Sequence, residues 1–413
     1  MTVADQETTT TRIRHPFHVD DEGVNRPPGP DKHPYYGHFA ATGSGVVPIV
    51  RQINGEPVPA LLICRYADVK EVLRRQDIFS RTAARHADPI DLTGIMLGMD
   101  GAEHARVRGT VKDRFTRPAV HDLAARIEAE AAEQLAVLRA RGGPADLLAD
   151  FAIPLTLHAI CDLLGVPPAD RAQFRRWGDA YLADSELTRD EAARAAQEMG
   201  GYLWAQLERR RGCPAPDLLT RIAAAAADET VDIQVKLPIS LLVGGWETTA
   251  NSIATFVHVL HSRPYRDHPT AWEYLLDHPA KLDAAVTELE RLYSTANADN
   301  MPRRVLADVT LPSGARLRAG ELVIASHDAA NRDPGVFPDP ERMDFDRDPN
   351  PHLSFGYGPH YCLGAHLGAL EVRTALGLLL RELPGLRLAV QPGEVRWKAG
   401  HSILGPEELP VRW

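Results

Sequence analysis

At 413 residues the chain exceeds the usual single-core range, so length alone points to two or three domains. Hydrophobic residues make up 44% and charged residues 25%, the balance of a globular protein with a large core. A net charge of −10 with no basic tract argues against nucleic acid as a partner. The absence of any run of about 18 apolar residues, and of an apolar stretch in the opening MTVADQETTTTRIRHPF, argues against a membrane anchor or secretion signal.

Residues 1–35 are polar and rich in Thr, Asp and Pro, and read as a mobile N-terminal arm or surface strap. From Ile49 to Ile63, alternation around Asn54-Gly55 predicts a β-hairpin. After Tyr66-Ala67-Asp68 the pattern turns helical, with long stretches over 119–140, 145–164, 168–211 and 215–227. A second hairpin is predicted from Val309 to Val323, turning at Ser313-Gly314, before a proline-rich meander from Asp333 to Pro351. No internal repeat is present, and Gly43-Ser44-Gly45 lacks the third glycine of a nucleotide-binding loop. Cys64, Cys161, Cys213 and Cys362 are scattered, without CxxC or zinc-type spacing. Cys64 and Cys161 sit in apolar runs and read as core, while Cys213 beside Pro214 reads as loop. This usage suits a reducing cytoplasm.

Several constellations carry chemistry. Asp100 and Glu103 are spaced as a capping box, and His104 and Arg108 follow four apart on one helix face. The apolar segment Lys236–Leu260 has two adjacent mid-helix glycines, Gly244 and Gly245, each costing about 1 kcal/mol relative to alanine, so something must require them. Gly244 and Thr248 share a face, which would let a ligand press on backbone beside a hydroxyl. Glu247 adds an ionisable carboxylate, and Trp246 points away as packing. Glu288 and Arg291 lie one turn apart, a pairing also common on solvated helix faces. Near the C-terminus, Phe355-Gly356-Tyr357-Gly358-Pro359-His360-Tyr361-Cys362-Leu363-Gly364 leads into helically spaced Leu363, Leu367, Leu370 and Val372. The glycines let the backbone turn tightly and approach a flat group, and a cysteine at a helix N-terminus has its pKa lowered.

This loop resembles the haem-binding loop of the cytochrome P450 family, Phe-Gly-x-Gly-x-His/Arg-x-Cys-x-Gly, at every defined position. The resemblance runs from about Ile63 to Trp413, with the motifs in the family's order. It departs at Ser262-Arg263-Pro264-Tyr265-Arg266, a short apparent insertion. It implies a mainly α fold with a small β-rich lobe, and residues 36–413 as one haem-binding domain, overriding the reading from length. Cys362 would be the axial ligand to haem b. Phe355, Gly356 and Gly244 would lie against the cofactor, with His104, Arg108, Arg303 and His360 on its propionates. Arg304 leaves that register open by one residue. Gly244–Thr248 looks like the oxygen-activation helix, in which Thr248 would hydrogen-bond dioxygen and Glu247 would relay protons. Glu288 and Arg291 match the family's Glu-x-x-Arg, and Arg342 matches the meander arginine completing a buried network.

The resemblance also implies a pocket. Ser240 and Val243 would face it from the oxygen helix, Arg85–Leu97 would form the roof, Asp299, Asn300 and Met301 a wall, and Ile403 and Leu404 the far tip. Such mixed lining predicts a mid-sized secondary metabolite with polar groups, peptide- or amino-acid-derived, and not a fatty acid or simple terpene. The implied function is a cytoplasmic monooxygenase fed by a ferredoxin and ferredoxin reductase, the ferredoxin docking beneath Cys362. Oxidative coupling or cyclisation on the same chemistry is the alternative, and a haem sensor without turnover is disfavoured by retention of both Glu247 and Thr248.

Overall fold

The computed structural model describes residues 13–14, 19–20, 23–24, 29–32, 35–41, 43–53, 56–87, 92–181, 188–225, 229–296, 299, 301–398 and 403–413. Six strands make the largest sheet: β1 (Ile13–Arg14), β2 (Val46–Ile53), β3 (Glu56–Ile63), β4 (Phe79–Ser80), β5 (Arg303–Val305) and β6 (Leu322–Ala325), in the order β1-β2-β3-β6-β5-β4. The expected first hairpin is present. β2 and β3 pair antiparallel from Val46 with Ile63 to Ile53 with Glu56, leaving the two-residue loop that Asn-Gly favours; Asn54 and Gly55 themselves lie outside the described residues. β6 is buried along its whole length and runs between β3, to which it is parallel, and β5. Its unbroken apolar sequence reflects that position.

The second hairpin is shorter than expected. Val309–Thr310 pairs with Arg316–Leu317 around Ser313-Gly314. Val323 belongs instead to β6, because a turn at Gly320, in the left-handed region at φ 90°, sends the chain back to the main sheet.

The helices that position the site are α1 (Gly101–Gly109), α2 (Ala124–Arg141), α3 (Ile153–Leu164), α4 (Val231–Ser262), α5 (Leu282–Leu292) and α6 (Ala365–Glu382). The expected helix over 168–211 divides: one helix ends at Tyr181 and another begins at Arg189. Thr188 and Glu191 form a reciprocal capping box there, which satisfies free N–H groups and starts a new helix. The stretch 145–164 begins not as helix but as a two-residue strand paired with Pro410 and Val411. The Asp146 carboxylate accepts from the Leu148 and Leu409 N–H groups and holds the chain off helical geometry.

α4 spans 32 residues, about 48 Å at 1.5 Å per residue. The Thr230 hydroxyl caps it by accepting from the Ile233 N–H. Its first half closes one apolar cluster with α3, and its second half closes another with α2, α5 and α6. A helix apolar on nearly every side is a central one.

Where the N-terminal arm is described, it contacts the body of the chain. Ile13 and Arg14 pair with Ile49 and Val50 of β2. Lys32 is buried, its Nζ 3.0 Å from Asp328 Oδ2 and donating to the Ser294 carbonyl at 2.6 Å; a buried ammonium stays only with such partners. Residues 262–266 also gain an account. Tyr265 stacks on Phe345 with ring centroids 4.3 Å apart, its hydroxyl accepts from the Phe345 N–H at 2.8 Å, and Arg266 pairs with Asp346. The segment braces the meander. Among the described residues no helix is long and apolar enough to cross a membrane.

Candidate active site

The cysteine loop is built on two left-handed glycines, Gly356 at φ 73° and Gly358 at φ 72°. A Cβ on Gly358 would stand 3.0 Å from the Arg74 Cα and the Leu73 carbonyl, so a side chain there would push the loop off its support. The Cys362 N–H donates to the Phe355 carbonyl at 2.8 Å and closes the loop. Cys64 and Cys161 are buried, and Cys213 and Cys362 are exposed. Burial around the sulfur raises the Cys362 thiol above its ordinary pKa, while the Gly364 N–H and the Arg108 guanidinium act in the opposite sense without cancelling it. The expected lowering therefore does not occur in the protein alone. α6 starts only at Ala365, and the Gly364 N–H faces the sulfur from just ahead of it.

Beside the loop, the His104 and His360 rings lie tilted against each other at 39°, with centroids 4.2 Å apart. Burial, then the neighbouring His360 and Arg108, push His104 down to about 4, and burial also lowers His360. Both imidazoles are thus neutral at pH 7, and buried Arg81 and Arg303 supply the positive charge. Arg303 points inward and donates to the Phe79 carbonyl, whereas Arg304 turns outward to the Gly320 carbonyl. Met301 and Leu97 line the same cavity as Arg81, Arg303, His327 and His360. Arg108 is placed differently from the expectation: it donates to the Tyr361 carbonyl at 2.7 Å, next to the cysteine. Arg81 and His327 were missed in the sequence, where an isolated Arg and His carry no local signal.

Asp100 stands at the start of α1, but its side chain makes no cap, so the expected capping box is absent. Its carboxylate accepts instead from the Ser80 hydroxyl and the Thr82 N–H, at 2.7 and 2.9 Å. Burial opposes its charge, but the nearby His360 ring, 3.8 Å away, and the hydrogen bonds from Ser80 and Thr82 outweigh that and hold its pKa well below the usual range.

Across the site, α4 turns a stripe of Ser240, Val243, Gly244 and Thr248 toward open space, while Leu241, Leu242, Trp246 and Glu247 are buried. Added to Gly244, a Cβ would meet nothing within 4 Å. At Gly245 it would meet Ile160 at 3.0 Å, so the two glycines serve different ends: Gly245 is a packing notch against α3 and Gly244 keeps the stripe open. The Thr248 hydroxyl donates to the Gly244 carbonyl at 2.9 Å. Glu247 accepts from Lys398 Nζ at 2.8 Å, a partner 151 residues away. Gly368 of α6 lies close to the Thr249 hydroxyl, so the cysteine-bearing helix meets α4 beside Thr248.

Glu288 and Arg291 form a fully buried two-pronged pair, with Arg291 Nε and Nη2 at 2.8 and 2.7 Å from the carboxylate oxygens. The third member is Arg347, not Arg342. Arg347 Nε donates to Glu288 Oε1 at 3.2 Å, whereas the Arg342 side chain is 65% exposed and pairs with Asp344. Arg347→Ala should therefore cost about 1.5–3 kcal/mol, the worth of hydrogen bonds to a charged group, and Arg342→Ala about 0–1 kcal/mol. Urea unfolding of the two variants checks the order, and a more damaging Arg342→Ala would reverse it.

The expected wall also needs correction. Asp299 is buried and accepts from the Tyr36 hydroxyl at 2.9 Å and the Ser326 hydroxyl at 3.0 Å, which ties two parts of the chain together and spends these lone pairs away from a ligand. Asn300 lies outside the described residues, as do residues 88–91 of the roof. The Ser240 hydroxyl donates to the Leu237 carbonyl of its own helix. Ile403 and Leu404 are buried, and the Leu404 N–H donates to the Thr295 carbonyl at 2.7 Å.

Whether these residues suit haem can be judged from their unmet bonding. His104 Nε2 and His327 Nδ1 are buried polar atoms with no hydrogen-bond partner among the described residues, near Arg303 and Arg81. A ligand with carboxylates at this edge would satisfy them. Cys362 is exposed, and a Cβ on Gly244 would meet nothing within 4 Å. The set fits, and such a site defines enzymes that hold haem iron through cysteine sulfur.

Comparison with known proteins gives the same class. The family profile for cytochrome P450 matches residues 277–402. Mycinamicin IV hydroxylase/epoxidase of Micromonospora griseorubida is 41% identical over 372 residues, covering 88% of this chain and 91% of its own. Nocardicin C N-oxygenase of Nocardia uniformis subsp. tsuyamanensis is 37% identical over 391 residues, covering 93% and 96%. The solved structure of the mixed-function P450 MycG superposes with a TM-score of 0.85 at 38% identity, over 97% of this chain and 100% of that one. The chain belongs to the cytochrome P450 family, with its fold and haem iron cofactor, and is an oxidoreductase of the monooxygenase class.

Proposed function

We propose that this P450 oxygenates a mid-sized secondary metabolite, using haem b and electrons delivered by a ferredoxin and its reductase in the cytoplasm. The observation that carries the reading is that Cys362 sits in the loop leading into α6, and α6 meets α4, which bears the Gly244–Thr248 stripe, at Gly368 and Thr249. Bound haem supplies dioxygen activation. Cys362 Sγ would hold the iron, and Arg303, Arg81, His104 and His360 would bind the carboxylate edge, with Arg108 bracing the cysteine loop. Residues 36–413 act as one haem-binding domain in this reading, consistent with α4 joining both apolar clusters.

Glu247 is the group that would take up and pass a proton, and the Thr248 hydroxyl, resting on the Gly244 carbonyl, is the donor nearest the open stripe. Thr248→Ala should therefore leave substrate affinity within about twofold while product formed per NADPH falls about tenfold, below the full worth of a general acid or base at about 10²–10⁴-fold. Unchanged product per NADPH would remove Thr248 from the mechanism.

The substrate class is supported by relatives that act on mycinamicin IV and nocardicin C. The loss of Asp299 from the wall weakens the case for an amino-acid-derived ligand in particular. For the ferredoxin, support comes from exposed Lys112 and Arg117, the latter acting electrostatically on Tyr361 and His366 beside the cysteine. That basic surface suits an acidic partner. The test is NADPH consumption with a surrogate ferredoxin system over a panel of secondary metabolites chosen by spectral binding. An oxygenated product supports the reading, and tight binding restricted to plain fatty acids or terpenes would overturn the substrate class.

A further inference from the structure

The C-terminal ribbon, residues 397–398 and 403–406, grips α4 at the proposed proton-delivery pair. Trp397 pairs with Pro406 and the Lys398 N–H donates to the Gly405 carbonyl at 2.9 Å, so the two limbs run side by side. The base is fixed by Trp397, edge-on to His258 of α4 with ring centroids 5.0 Å apart. Gly405 presses on Asn251, since a Cβ there would stand 2.0 Å from its Oδ1. Asn251 in turn donates to the Glu247 carbonyl at 2.8 Å.

From this ribbon two contacts reach the pair itself. Lys398 Nζ lies 2.8 Å from Glu247 Oε1, with the lysine side chain 18% exposed and the glutamate 6%. Leu404 N–H binds the Thr295 carbonyl, and the Thr295 hydroxyl donates to the Thr248 carbonyl at 3.1 Å, which also accepts from Ser252 at 2.9 Å. A carboxylate this buried needs a cationic partner to hold its rotamer. The lysine, still touching water, sits at the boundary between solvent and Glu247.

We propose that Lys398 is a positioning residue for Glu247: it holds the carboxylate ionised and aimed from the solvent side of α4, so that protons are taken up there and passed toward the Gly244–Thr248 stripe. The inference rests on the role given to Glu247 above. It predicts that Lys398 acts only through Glu247, and that charge and reach matter more than the stem.

The experiment uses the haem-loaded full chain as wild type, Lys398→Met, Lys398→Arg, Glu247→Gln and the double variant Lys398→Met/Glu247→Gln. Product per NADPH and the solvent deuterium isotope effect on product formation are measured. Alongside them, substrate dissociation constants come from spectral titration, and thermal unfolding is followed for all five proteins. Lys398→Met should lower product per NADPH about tenfold and raise the isotope effect, with the substrate dissociation constant within about twofold of wild type. Lys398→Arg should recover most of the yield, because guanidinium keeps the charge and the reach. The double variant should be no worse than Glu247→Gln, and the unfolding midpoints should be non-additive in the same way. If Glu247→Gln is impaired while Lys398→Met matches wild type, or if the two losses multiply, the proposal is overturned and the role of Glu247 stands. If Glu247→Gln is itself silent, the role of Glu247 falls and the inference with it.

Discussion

Cys362→Ala should abolish oxygenation while leaving the fold nearly intact. The side chain is exposed on the site, and the loop closes through the Cys362 backbone N–H to Phe355, which alanine keeps. The glycines at 356 and 358, the seat on Arg74 and the apolar contacts of α6 are likewise untouched. What is lost is the sulfur that would hold the iron and favour O–O cleavage. Product formation under saturating ferredoxin and NADPH should fall to background, with the far-ultraviolet circular dichroism unchanged. Turnover near the wild-type rate would show that another residue holds the iron.

Arg291→Ala should have the largest effect on folding. Glu288 is wholly buried and accepts from Arg291, Arg347, Asn350 and the Asp344 N–H. Arg291 in turn donates to the carbonyls of Asn331 and Pro340, tying α5 to the meander. Removing it takes the two-pronged partner from a buried carboxylate and frees the Asn331 and Pro340 carbonyls, a cost of about 3–5 kcal/mol out of a typical total of about 5–15 kcal/mol. The variant should accumulate as aggregated or haem-poor protein, and Arg291→Lys should rescue little, since one ammonium cannot serve three directions at once. Haem per chain and thermal unfolding measure this. A well-folded, haem-replete Arg291→Ala protein would show that the pair is dispensable.

The parts of the site that were legible in the sequence are those whose chemistry is local. The cysteine loop packs its glycines, histidine and thiol into ten residues, and Glu288 and Arg291 meet because a helix brings such positions together. Arg342 and Arg347 both lie in the meander, and which of them reaches Glu288 depends on how that segment folds. Arg347 donates to the carbonyls of Pro338, Asp339 and Arg342, a nest that exists only once the meander has formed, while Asp344 draws Arg342 out to solvent. Asp299 looked like a wall residue from its place before β5, but Tyr36 comes from 263 residues away to claim it. Lys398 had no signal at all. One misreading was avoidable: Thr188 and Glu191 carry a capping-box spacing, and helical periodicity on both sides hid the break.

The most direct test of the central claim is the spectrum of the reduced wild-type protein with carbon monoxide. A Soret band shifted far to the red, present in wild type and absent in Cys362→Ala, is the predicted result, because only a thiolate opposite the bound gas produces it. An unshifted band in the wild-type protein, or purified protein that binds no haem, would contradict the assignment of Cys362 as the iron ligand.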